Sequence, residues 1–167
     1  AATWKALVGS TATNAREVSF SVWFYTSKDN AGVSVQTCVS LGENSGGMDR
    51  GLRINTNNKL LFVVGGNESD GTISSINALE PNRWYHAVAT YDGSDPEGSS
   101  TDTAAGMKLY LDGVEVVLGS SSSINGAFGG NMADYDSTHP LMFGAENNGG
   151  GDRYNFEGNI RDFRFYD

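Results

Sequence analysis

The chain is poor in several things that a protein can be built on. It has one cysteine, Cys38. A single thiol cannot close an internal disulfide and has no second thiolate with which to hold zinc. A buried strand position, in "VSVQTCVSL", is therefore its expected role. Proline is scarce, at 3 residues. Basic residues are outnumbered, 11 Lys and Arg against 20 Asp and Glu, for a formal charge of −9. Nucleic-acid binding needs a basic stripe that displaces counterions, so a nucleic-acid partner is excluded. No apolar run approaches the ~20 residues of a membrane-spanning helix, so membrane insertion is not expected. No signal peptide or lipidation motif is visible, and the expectation is a mature or excised segment. No stretch carries three turns of amphipathic helical periodicity. At most, residues 77–82 make one short helical turn before Trp84.

What the chain has is glycine, at 22 of 167 residues, and aromatic rings, at 11%. That composition suits many strands joined by tight turns, and the length suits one domain over residues 1–167. Period-two alternation dominates. In "VSFSVWFYTS", Val18, Phe20, Val22 and Phe24 share one face, and Ser19, Ser21, Trp23 and Tyr25 the other. Trp23 and Tyr25 either line the concave face and bind a chain or pack beneath a covering loop, and packing is the expectation. In "VSVQTCVSL", Val33, Val35, Val39 and Leu41 alternate with Ser34, Gln36 and Ser40. The pattern continues through "GLRIN", "KLLFVVG", "GTISSI", "RWYHAVATY", "MKLYLDGVEVV", "PLMFG" and "NFEGNIRDFRFYD". "TNN" and the Asp-Gly of "LDGVEV" read as hairpin turns. Trp84 opens its strand and is expected in the core, and His86 is expected to be structural. Closely spaced strands of this kind make an all-β, antiparallel two-sheet β-sandwich.

Two loops echo each other. "GENSGGMDR" and "GAENNGGGDR" each follow an apolar run and each give Glu-Asn, a glycine bend and Asp-Arg. Calcium takes six to eight oxygen ligands from carboxylates, amides and main-chain carbonyls. Glu43, Asn44 and Asp49 supply such oxygens in the first loop, and Glu146, Asn147, Asn148 and Asp152 in the second. The glycines let the backbone turn its carbonyls inward. The competing reading is that Asp, Asn and Gly are ordinary turn formers, with Asp49 and Asp152 as ion-pair partners of the adjacent arginines.

The order of motifs resembles the laminin G-like, concanavalin A-like lectin/glucanase jelly-roll superfamily. "VSFSVWFY", "GLRINTNNKLLFVVG", "NRWYHAVATYDG", "MKLYLDGVEV", "PLMFGAENN" and "FEGNIRDFRFYD" carry the resemblance, which covers the chain from Val18 to Asp167. It implies a jelly roll of two antiparallel sheets. "FGAENNGGGDRYNFEGNI" is similar to the calcium loop of the pentraxins, and "GGMDRGLRI" lies where pentraxins carry an Asp-Asn pair. The resemblance implies a calcium site on Asp49, Glu146, Asn147 and Asn148. Arg50 and Asn148 depart from the pentraxin pattern and lower its negative charge. Many relatives place calcium elsewhere, on the residue matching Asp162.

Sugars are held by planar hydrogen-bonding groups and an aromatic ring beneath the pyranose. Arg50, Asp152, Arg153, Tyr154 and Tyr135 offer both on the loops. The negative charge favours neutral sugars. The Glu-x-Asp-x-(x)-Glu strand motif of enzymatic relatives is absent, as are a readable Ser-His-Asp set and a phosphate loop. The expectation is a non-catalytic, calcium-assisted carbohydrate-binding or adhesion module. Its partner would be a glycan or polysaccharide, with other domains of the same polypeptide alongside, at the cell surface or outside the cell. The alternatives are a protein-interaction or spacer domain without a small ligand, and a polysaccharide-degrading enzyme domain.

Overall fold

The computed structural model describes residues 17–27, 29, 32–41, 50–64, 72–92, 106–117, 141–147 and 152–166; Glu17, Val18, Leu41, Asn147 and Asp152 are described by their backbone alone. The strands are β1 (Glu17–Thr26), β2 (Gln36–Leu41), β3 (Arg50–Ile54), β4 (Leu60–Val64), β5 (Thr72–Ser74) and β6 (Arg83–Asp92). They continue with β7 (Met107–Leu111), β8 (Val114–Glu115), β9 (Leu141–Phe143), β10 (Glu146–Asn147), β11 (Asp152–Arg153) and β12 (Gly158–Tyr166). One five-stranded sheet runs β12-β1-β6-β7-β8, a second runs β5-β4-β3-β2-β9, and β10 pairs with β11 alone. Every pairing is antiparallel.

The core lies between the two five-stranded sheets, as alternation requires. From β1, Phe20, Val22 and Phe24 are wholly buried. Across the ladder they face Ala89, Ala87 and Tyr85 of β6. The two alanines leave room for large side chains of the other sheet, so large and small residues interlock. Leu52, Ile54, Leu60, Phe62, Val64 and Ile73 fill that space. Phe20 meets Phe62 edge to face, with ring centroids 5.7 Å apart. Burying each such ring contributes about 1.5–3 kcal/mol relative to leaving it in water.

The turns form where their chemistry asks for them. Asp112 and Gly113 both take positive φ, 52° and 81°. That is what a two-residue turn between twisted strands needs. In "TNN", Asn58 sits at φ 57°. The Asn55 side-chain oxygen accepts from the backbone N–H groups of Asn57 and Lys59, at 2.9 and 3.0 Å. Gly158 is required for space. A Cβ there would lie 1.9 Å from the Tyr25 carbonyl oxygen and 2.8 Å from the Phe156 ring.

Two expectations are corrected. The strand written in "VSVQTCVSL" starts at Gln36 rather than Val33, and Val33 is 62% exposed. The register shifts between Thr37 and Val39, so Cys38 is a bulge residue. An inserted residue breaks strict alternation, and Thr37, Cys38 and Val39 are consecutively buried. Burial pushes the Cys38 thiol well above its ordinary range. Residues 77–82 are not helical. Their N–H groups are committed elsewhere: Leu79 donates to the Asn58 carbonyl at 2.7 Å, and Asn82 to that of Thr26 at 2.6 Å.

Candidate functional site

Of the residues expected at a loop-built site, Asp49, Asn148 and Tyr135 lie outside the described residues, and Asn147 and Asp152 are described by backbone only. Those that are described do not form an open rim. Glu146 follows β9 and is 0% exposed. Its Oε1 accepts from Arg153 Nε at 2.6 Å. Its Oε2 accepts from Arg53 Nε at 3.0 Å, from Arg53 Nη2, and from Thr37 Oγ1 at 3.4 Å. The Tyr154 ring lies under both guanidinium groups, 5.2 Å from Arg53 and 4.8 Å from Arg153. The carboxylate is thus neutralised by two cations and shut off from solvent. In this arrangement it is an ion-pair centre. Arg50 is buried as well.

The two echoing loops also start at opposite ends of paired strands. β2 and β9 are antiparallel, with Leu41 beside Leu141 and Val39 beside Phe143. The chain therefore leaves β2 at one end of the ladder and leaves β9 at the other. Past Phe143, Gly144 donates to the Cys38 carbonyl at 3.0 Å, and Thr37 donates to that of Tyr154 at 2.7 Å. The second loop is thereby tied to the Thr37 end of β2, while residues 42–49 connect its Leu41 end to Arg50. Among the described residues, no group of three or more His, Cys, Asp and Glu is placed to hold a metal ion.

A different surface collects binding chemistry: the outer face of the sheet β12-β1-β6-β7-β8. Cross-strand neighbours on one face of a sheet lie close enough to touch. Trp23 of β1 is directly opposite His86 of β6, and Tyr25 is opposite Trp84. Trp23 and His86 stack with ring centroids 5.0 Å apart, and Tyr25 meets Trp84 at 5.6 Å. All four rings are half-buried. Trp84, expected in the core, is therefore an outer-face residue. Trp23 and Tyr25 do pack, but against β6 and β12 neighbours on that face. Arg161 of β12 lies over Trp84 at 4.3 Å and over Trp23 at 5.5 Å, at cation–π distance.

A bulge in β12 builds the other side of this face. Arg164 pairs with Ser21 and Arg161 with Trp23. Two steps on β1 thus match three on β12. Asp162 supplies the extra residue, at φ 51°. Ile160, Phe163 and Phe165 pack against the core. Arg161 and Arg164 both remain outside, which regular alternation forbids for residues three apart. Together Ser21, Trp23, His86, Val88, Asp162, Arg164 and Tyr166 line a depression of about 360 Å³. Sequence reasoning missed the arginines because it assumed unbroken alternation in "NIRDFRFYD". The signal for Trp84 was present in its spacing from His86 and Val88, on the face opposite Tyr85, Ala87 and Ala89.

Comparison with known proteins agrees with this architecture. Residues 3–167 match the laminin G-type family described as the concanavalin A-like lectin/glucanases superfamily. No match was found among the curated proteins. Among solved structures, the carbohydrate-binding module CBM40 of the Ruminococcus gnavus IT-sialidase, bound to alpha2,3 sialyllactose, aligns with a TM-score of 0.62 and 16% identity, over 94% of this chain and 78% of that one. The heptameric SAP-like pentraxin of Limulus polyphemus aligns with a TM-score of 0.54 and 16% identity, over 90% and 63%. A Trypanosoma rangeli sialidase mutant displaying trans-sialidase activity aligns with a TM-score of 0.50 and 12% identity, over 90% of this chain but 20% of the enzyme. The chain thus spans less than two thirds of the pentraxin and a fifth of the sialidase, and at these identities the likeness is one of fold. A two-sheet antiparallel jelly roll matched by a family model along nearly its whole length belongs to the concanavalin A-like lectin/glucanase superfamily.

Proposed function

We propose that this domain is a non-catalytic carbohydrate-binding module that holds a saccharide on the outer face of the sheet β12-β1-β6-β7-β8. One observation carries the reading. Half-exposed rings, a guanidinium and hydroxyls converge on one depression, through Trp23, His86, Tyr166, Arg164 and Ser21. A pyranose needs that combination: an apolar ring face to lie on, and planar polar groups to meet its hydroxyls. The fold family and the carbohydrate-binding modules among its structural neighbours support the same reading. The reading does not require calcium: Glu146, the expected ligand whose side chain is described, has both oxygens in ion pairs. The setting we propose is a larger protein at the cell surface or outside the cell; the matched fold occupies only a fifth of the T. rangeli enzyme, which supports such modular use.

The test is a glycan array followed by calorimetric titration of the best binder. Saturable binding is expected, and Trp23→Ala should weaken it about tenfold or more, a 1.4 kcal/mol loss. A folded domain that binds no glycan overturns the reading.

A protein-interaction domain is the second reading, and one observation favours it. Ile76, Val114 and Val117 are exposed beside a groove of about 330 Å³ at the β8 edge. Exposed apolar groups gathered around a groove mark contact surfaces more often than chance.

A further inference from the structure

The outer face around the depression carries two arginines in very different states. Arg161 is committed to the faces of Trp84 and Trp23, and its Nε lies 3.9 Å from Asp162 Oδ2. Arg164 is exposed and lines the depression, and no ion pair joins it to another described residue. The bulge at Asp162 is what turns it outward. A guanidinium that stands beside a ring wall and keeps its planar donors is suited to a two-pronged acceptor.

Resting on the glycan reading above, we infer that the depression selects a saccharide bearing a single carboxylate or sulfate, with Arg164 gripping the anionic group and Trp23 supporting the sugar ring. Ser21 and Tyr166 supply hydroxyls for the remaining polar contacts. The charge of the whole chain, −9, does not oppose this. Exposed charges farther off than a Debye length, about 8 Å at physiological salt, are largely screened. What counts is the local set. Among the described residues of this face, Arg164 lines the depression together with one carboxylate, Asp162, and Arg161 stands beside them. That carboxylate lies against Arg161, and it penalises ligands with several negative charges more than those with one. The volume, about 360 Å³, is near the lower end of small-ligand sites and suits a terminal sugar rather than a long stretch of polymer.

The experiment uses four probes on one trisaccharide backbone: glucuronate-terminated, its methyl ester, glucose-terminated, and glucose-6-sulfate-terminated. Each is titrated into the wild-type domain, Arg164→Ala, Arg164→Lys and Trp23→Ala. The glucuronate or the sulfate probe should bind about tenfold or more tightly than the ester, with a preference that shrinks as salt rises. Which of the two binds identifies the acid. In Arg164→Ala the acid-to-ester ratio should fall to about one, and Arg164→Lys should restore part of it, because the charge returns without the fork. Equal binding of acid, ester and neutral probes by the wild type, with all of it lost in Trp23→Ala, overturns the anion preference and leaves the glycan site standing. An acid preference that survives in Arg164→Ala also overturns it. If neither these probes nor the array yields any binding, the underlying glycan reading fails.

Discussion

Arg161 and Arg164 stand three residues apart on β12, yet both face away from the core. Between them Asp162, at φ 51°, takes up the extra residue of a bulge. Phe163 turns inward in consequence and packs on Phe20, with centroids 6.0 Å apart. The candidate site therefore depends on one backbone irregularity.

That irregularity is testable at Asp162. A left-handed backbone suits glycine, is tolerated by aspartate and resists β-branched residues. Asp162→Gly should leave the denaturation midpoint nearly unchanged. Asp162→Val should cost about 1–3 kcal/mol in chemical denaturation. Equal stability of the two variants would show that the bulge is not formed as described.

The Arg53–Glu146–Arg153 cluster makes a prediction about stability. Glu146→Gln removes a negative charge that pairs with two guanidinium groups, one of them buried. Breaking a buried pair from one side typically costs about 3–5 kcal/mol. Urea unfolding of Glu146→Gln should show a loss of that order. A loss below about 1 kcal/mol would mean that the cluster is open to solvent.

Cys38 makes the domain sensitive to alkali. Its thiol is raised in the folded state, above an ordinary value of 9.0, by burial alone. A raised folded-state value means that the group's contribution is fully present below pH 9.0 and is lost as pH rises, because the unfolded chain releases a proton that the native chain keeps. Stability should fall by up to about 1.4 kcal/mol per pH unit above that point. Tyr85, raised chiefly by burial, adds a loss of the same sign above 10.0. Cys38→Ala should flatten the slope between pH 9 and 10. An unchanged slope would show that the thiol is not held protonated.

Calcium binding is open to titration. With Glu146 engaged, calcium or a chelator should change neither the melting temperature nor the glycan affinity by more than about twofold. Loss of binding on chelation would contradict this and support the calcium set Asp49, Glu146, Asn147 and Asn148.

Much of the fold was legible. The faces of β1, the "TNN" and Asp-Gly turns and the presence of β6 and the closing strand follow from local pattern and turn chemistry. The site was legible only in pieces. Trp23, Tyr25, Trp84 and His86 could each be placed on a face, but that Trp23 stacks on His86 depends on strand register, which alternation alone does not set. The bulges at Cys38 and Asp162 were invisible because no residue type demands them. Nor did the likeness of the two loops reveal that they start from opposite ends of the β2–β9 ladder. Similar sequence says nothing about which end of an antiparallel ladder a loop leaves from.

The most direct test sets the sheet face against the loops, in titrations of the best array glycan into Trp23→Ala and Tyr154→Ala, both checked for folding. Binding at the sheet face predicts a loss of about tenfold or more for Trp23→Ala and less than about twofold for Tyr154→Ala. The reverse pattern, with Tyr154→Ala abolishing binding and Trp23→Ala sparing it, would contradict the account and move the site to the loop beside Glu146.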